Sequence, residues 1–267
     1  MSQSKLVVHK RTGADGVSHR ITPESAGWRY VGFETRSSSA GAKSKLDTDG
    51  REVCVVILSG KARVTANGFD SGVIGERMSV FEGLPWSVYL PPRTSASIEA
   101  ATDCELALCS APARGELKAR VIKPDDVRTL TRGEGSNTRH IRNVLAEGDG
   151  GAESLFVIEV LTPAGNWSSY PPHKHDRDAL PEESYLEETY YHRVKPAQGF
   201  AFQRVYTDDR SLDETITVTD GDVVLVPKGY HPVGAPHGYD LYYLNTMAGP
   251  KRVWRFHNDP AHEWLMA

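Results

Sequence analysis

Cysteine is scarce: Cys54, Cys104 and Cys109 are the only three in 267 residues, so a disulfide scaffold is excluded. An odd number in strand-like surroundings reads as buried thiols in a reducing compartment. No block of Lys or Arg occurs and the formal net charge is −4, so the chain lacks the electrostatic footprint that a phosphate backbone requires. Nucleic acid is therefore not an expected partner. Long apolar runs are missing too. The N-terminal stretch has no signal-peptide core, and the run from Val53 to Leu58 is far too short to cross a bilayer. The expectation is a soluble, cytoplasmic protein without a membrane partner.

Sustained helical periodicity is the last absence, and it leaves short strands as the main building unit. A hydrophobic fraction of 39%, with 24 Gly and 16 Pro, supports that reading. Strand signals recur at Val53 to Leu58, Ala62 to Val64, Trp86 to Leu90, Leu155 to Leu161, Thr189 to Val194, Phe200 to Tyr206, Thr215 to Val218, Val223 to Val226 and Tyr239 to Leu244. The fold class is all-β, as sandwiches or barrels.

The halves echo one another. A shift of 136 takes Glu52 onto Glu188 and Pro91 onto Pro227, each pair placed alike against its strands. Such a register is what an internal duplication predicts. The segment from Trp28 to Thr35 against Phe156 to Pro163 needs a different shift, so insertions separate the outer strands. A linker-like stretch near residues 113 to 125 sets the boundary, giving domains 1–118 and 119–267.

The sharpest local signal is Pro171-Pro172-His173-Lys174-His175, because residues two apart on a strand share a face and their imidazoles can converge on one cation. Further on, Glu187-Glu188 opens a strand with carboxylates, and His231 follows Pro227-Lys228-Gly229-Tyr230. Three imidazoles and a carboxylate suit a divalent ion such as zinc, manganese or iron, with positions left for a carbonyl and a neighbouring hydroxyl. Under the same shift Ser37, Ser39 and Ser95 meet His173, His175 and His231, so the first half is expected to be metal-free, with Glu52 alone keeping its ligand type.

These motifs resemble the cupins, whose order is His-x-His, Glu and a final His after Pro-x-Gly. Two departures stand out: an acidic loop from Asp176 to Glu187 separates His175 from Glu188, and the second motif is one residue short. The resemblance selects Glu188 over Glu187 as ligand and leaves Glu183 and Glu187 as solvated rim charges. It implies two cupin-type units, a bicupin. The strings Tyr170 to Asp176, Gln198 to Arg210, Asp220 to Pro232 and Asn258 to Trp264 further resemble the 5-deoxy-glucuronate isomerase family of inositol catabolism. That likeness implies a metal-dependent aldose-ketose isomerase with a small acidic sugar as substrate, and allows a homo-oligomer.

For the chemistry, His173, His175, Glu188 and His231 are the expected metal ligands. His192, on the same strand face as Glu188, is the candidate base. Lys174 and Arg204 are candidate partners for the substrate carboxylate, Arg204 preferred for its bidentate grip. A cupin dioxygenase using iron(II), or a sugar-binding bicupin without turnover, are the competing readings. An aromatic tail ending in Trp264 is expected to pack on its own barrel.

Overall fold

Val, Ile, Thr and aromatic side chains pack well on a pleated, half-buried surface, and each run of them forms a strand. In the computed structural model, which describes residues 4–11, 13 and 15–266, Phe200–Tyr206 and Val223–Val226 keep the bounds read from the sequence, while the run at Val53 extends to Arg51–Ser59. Among the described residues the one α-helix is the turn Pro23–Ala26, and no helix is long and apolar enough to cross a membrane.

The chain divides into two compact units that are not contiguous halves. One is Arg11–Arg128 with Arg142–Ile158; the other joins the residues up to Lys10, Thr129–Ile141 and everything from Glu159 onward. A single cut at 118/119 misses this, because the strands Arg139–Leu145 and Phe156–Thr162 each run from one unit into the other. The N-terminal strand Val7–Val8 likewise pairs with Val223–Val226.

Each unit is built on a large and a small sheet. The first orders its large sheet as Arg120–Ile122, Ser87–Leu90, Arg51–Ser59, Cys104–Pro112, Gly32–Ser38, Val17–Ile21. The second runs Val7–Val8, Val223–Val226, Glu187–Lys195, Asp240–Ala248, Phe156–Thr162, Arg139–Leu145, Arg128–Arg132. The small sheets, Lys43–Asp47, Ser95–Ala100, Ala62–Ala66, Phe69–Ile74 and Trp167–Ser168, Val233–Gly234, Phe200–Tyr206, Asp213–Thr219, follow the same order of appearance. The repeat is therefore a repeat of topology.

Its register is the one read in the sequence at the central strands, with a different shift at the outer strand as expected, but the three serines do not match the histidines. A shift of 136 does carry Arg51–Ser59 onto Glu187–Lys195 and Cys104–Pro112 onto Asp240–Ala248, but Gly32–Ser38 meets Phe156–Thr162 with a shift of 124. The difference is twelve residues, the length of segment 176–187. Ser37 lies on Gly32–Ser38, so neither it nor Ser39 corresponds to His173 or His175, which follow the counterpart of Lys43–Asp47. Ser95 is exposed, and its neighbour Ala96 faces the core.

Glu52 needs the larger correction. Val53, Val55 and Ile57 pack against Ala62, Val64, Ala96 and Ile98 of the small sheet, so Glu52 points to the opposite face. In the second unit Glu188 and His192 are the inward residues, His192 reaching Gln203 of the small sheet. A slip of one residue exchanges the faces of a strand, so Glu52 and Glu188 match in position but not in direction. Glu52 is fully buried and accepts the Tyr89 hydroxyl (2.7 Å) and the backbone N–H groups of Glu153 (2.9 Å), Ser154 (2.6 Å) and Leu155 (2.8 Å). The interior it leaves is apolar, each fully buried Val, Leu or Ile contributing roughly 1.5–3 kcal/mol. Glu52→Gln should lower unfolding stability in urea by about 1–3 kcal/mol, since buried donors lose their acceptor, and leave the protein's divalent-metal stoichiometry unchanged.

Candidate metal centre

His173 sits on a two-residue strand paired with the C-terminal segment, His173 opposite Asn258 and Lys174 opposite His257. His231 follows a turn at Gly229, whose φ of 89° and lack of a Cβ are both required: a Cβ would lie 2.4 Å from the Tyr206 carbonyl oxygen. Here the chain brings three imidazoles together, with one ring nitrogen from each of His173, His175 and His231 within 4.8 Å of the others. Their ring centroids are 5.0 Å apart for His173 and His231, and 5.1 Å for His175 and His231. Glu188 completes the group from the strand Glu187–Lys195. Its Oε2 lies 3.0 Å from His175 Nε2 and 3.2 Å from His231 Nε2.

The backbone decides which nitrogen of each ring is free. His175 Nδ1 donates to the Leu186 carbonyl (3.0 Å) and His231 Nδ1 to the Gly229 carbonyl (2.8 Å), while His173 is hydrogen-bonded to the Pro171 carbonyl. A carbonyl only accepts, so the Nδ1 of His175 and of His231 carries the ring proton and turns Nε2 of each toward the carboxylate. Two lone pairs and an anionic oxygen at about 3 Å repel unless a cation lies among them. A proton on His175 can serve: burial opposes it, but the Glu188 hydrogen bond and charge raise the His175 pKa overall. Burial would likewise raise Glu188, yet His175 and His231 bring it down to about 2. His173, buried beside two other imidazoles, is held well below its ordinary value. The donor set fits a divalent ion, which would satisfy every bare nitrogen at once.

Around this cluster stand hydroxyls that sequence reasoning did not single out. Tyr190 lies 5.7 Å from the His231 ring and 4.8 Å from Tyr243. Its hydroxyl meets Ser169 (2.8 Å), and that of Tyr243 meets Ser168. Burial first, then Glu188, keeps the Tyr190 phenol far above its usual range, and burial pushes Tyr243 up to about 12. Both are neutral hydroxyls. The alternation that pairs Tyr190 with Glu188 was visible in the sequence; Ser168, Ser169 and Tyr243 reach the site only through sheet pairing. Phe256, 40% exposed, packs at 4.9 Å on His173, from the tail that pairs with this segment.

The other expected residues lie elsewhere. His192 is two inward positions beyond Glu188, about 13 Å along the strand, with Tyr190 stacked between them. Its Nε2 bonds Gln203 Oε1 at 2.9 Å and its Nδ1 is buried without a hydrogen-bond partner. Arg204 alternates with the inward Gln203, so it faces outward; it pairs bidentately with Asp213 (2.8 and 2.7 Å) and stacks on Tyr206. Lys174 points away from its flanking histidines, among carboxylates. Glu183 and Glu187 are buried, not solvated: hydrogen bonds within the 176–187 segment draw Glu183 inward, and pairing with Ala248 covers Glu187.

Burial lowers the His192 pKa from 6.5 to about 4. Below 6.5 the unfolded chain therefore binds a proton that the folded ring refuses, so stability falls from pH 6.5 to about 4 and levels off beneath. The full loss is about 3 kcal/mol. Urea unfolding of wild type and His192→Asn at pH 7 and 4.5 should show this component in wild type alone.

The sequence matches the KduI/IolB family over residues 6–265. A curated relative from Geobacillus kaustophilus, named 5-deoxy-glucuronate isomerase, is 54% identical over 98% of this chain and 96% of its own. An IolB-like protein of known structure from Salmonella typhimurium superposes with a TM-score of 0.96 at 50% identity, covering 99% of this chain and 100% of that one. Lactobacillus farciminis oxalate decarboxylase gives 0.67 at 14% identity, over 97% of this chain and 89% of that one, and shares the bicupin fold. With two repeated β units and a match running almost end to end, the chain belongs to the KduI/IolB family.

Proposed function

We propose that the protein is a metal-dependent aldose-ketose isomerase converting 5-deoxy-glucuronate to 5-dehydro-2-deoxy-gluconate in cytoplasmic myo-inositol catabolism. The observation that carries the reading is the convergence of three imidazoles, with Nε2 of His175 and of His231 at 3.0 and 3.2 Å from one buried carboxylate, in a chain 54% identical to a named isomerase. Zinc, manganese or iron(II), held by His173, His175, His231 and Glu188, would act as a Lewis acid on the sugar carbonyl and its adjacent hydroxyl.

The chain's own residues supply the rest. The carbonyls of Leu186 and Gly229 accept from the Nδ1 of His175 and His231 and so orient Nε2 of each ring toward Glu188, while the Pro171 carbonyl holds His173. The phenols of Tyr190 and Tyr243 stay protonated and offer hydrogen bonds to sugar oxygens. Because Arg204 and Lys174 are already paired, neither is assigned to the substrate carboxylate. His192 Nδ1 is a neutral acceptor whose depth behind Tyr190 separates it from carbons bound at Glu188.

Incubating metal-loaded protein with 5-deoxy-glucuronate in deuterated water without oxygen, followed by NMR, should show conversion to the ketose. Metal analysis should show His175→Ala and His231→Ala losing both ion and turnover. A strict requirement for oxygen, or full metal content and turnover in His175→Ala, overturns the reading.

A further inference from the structure

Lys174 is a buried charge that the isomerase reading leaves without a role. It alternates with His173 and His175, so its side chain runs to the opposite face, where it is 2% exposed. An ammonium survives there only among carboxylates. Asp176 Oδ1 and Asp208 Oδ2 each lie 3.0 Å from Nζ, and Glu183 Oε2 lies at 3.7 Å. Burial opposes the lysine's charge, and the bonds to Asp176 and Asp208 more than restore it.

Each carboxylate also holds something else. Asp208 accepts the Tyr230 hydroxyl at 2.8 Å. Glu183 accepts the Asp176 N–H at 2.8 Å and two guanidinium nitrogens of Arg177 at 2.9 and 2.8 Å. Asp176 accepts the Gly229 N–H at 2.8 Å through its second oxygen. That last bond is the link to the metal centre, because the carbonyl of the same Gly229 orients His231 Nδ1. Asp176, next in sequence to His175, thus fixes the residue that aims the third imidazole. The tail closes the circuit: Tyr230 and Tyr206 exchange backbone hydrogen bonds, the Tyr206 hydroxyl bonds Asp259 at 2.8 Å, and the Asp259 N–H bonds the Pro172 carbonyl at 2.8 Å.

We propose that Lys174, Asp176 and Asp208 form an electrostatic brace that sets the affinity of the metal centre by holding the His173–His175 segment at a fixed separation from the turn carrying His231. These are positioning residues that touch neither ion nor substrate. The proposal rests on the metal reading above. Segment 176–187, which has no counterpart in the other unit, supplies both Asp176 and Glu183.

The test uses full-length protein stripped of metal, with the zinc dissociation constant measured by chelator competition and the thermal midpoint of the metal-free protein recorded for each variant. Asp176→Asn and Lys174→Met should weaken zinc 10–100-fold, the range for partners that orient metal ligands. Lys174→Arg should recover part of the loss. Asp208→Asn, whose native side chain is 66% exposed, should fold with an unchanged midpoint and still bind zinc several-fold more weakly. Lys43→Ala, on the other unit's surface, should match wild type. Folded Asp176→Asn and Asp208→Asn variants with wild-type zinc affinity overturn the brace while the metal reading stands. Wild type that takes up no zinc, manganese or iron(II) overturns the metal reading and the brace with it.

Discussion

Two basic nitrogens and a carboxylate oxygen crowd one buried point, and only a cation makes that arrangement favourable. Glu188 is 2% exposed and His231 fully buried, so water cannot screen the repulsion. The backbone forbids escape by ring rotation, since each Nδ1 is committed to a carbonyl. What surrounds the cluster follows from this. The segments that carry these groups are tied to one another from behind by hydrogen bonds through Gly229, Tyr230 and Asp259.

The same topology in the other unit holds no such conflict. The place that Glu188 takes in one barrel is taken by apolar residues such as Val53 and Val55, packed on Val64 and Ile98. Its one buried carboxylate of similar sequence position, Glu52, turns outward and spends its oxygens on four donors. A carboxylate satisfied by N–H and O–H groups requires no cation, whereas one facing imidazole lone pairs does. The two units therefore differ in what their interiors can hold, with nearly the same strands.

This difference was only partly legible in the sequence. Strands such as Phe200–Tyr206 were readable because alternation and β-branched content report directly on a pleated surface. His173, His175 and His231 were readable because their spacing is local and their chemistry narrow. Facing was not: the bounds of Arg51–Ser59 and Glu187–Lys195 match under one shift while their inward residues differ by one, and no identity at position 52 reveals the slip. Charge pairing was equally hidden. Lys174 and Glu183 look like solvated charges until residues 208 and 229 arrive from distant parts of the chain. Arg204 looked like a free guanidinium because its partner Asp213 stands across a hairpin.

Burial also differs among the ligand candidates. Of the four ligand candidates only His173 escapes full burial, and its ring carries the half-exposed Phe256. Tyr190 packs on His231, and Tyr243 and His192 pack on Tyr190. On the isomerase reading proposed above, a substrate at the cluster would lie among His173, the part-exposed Phe256 and the phenols of Tyr190 and Tyr243. The phenols are already protonated and can only donate to an oxygen there, while His192 lies beyond them. The strand alternation that recommends His192 as a base gives it the right direction, and the intervening Tyr190 takes away the distance it needs.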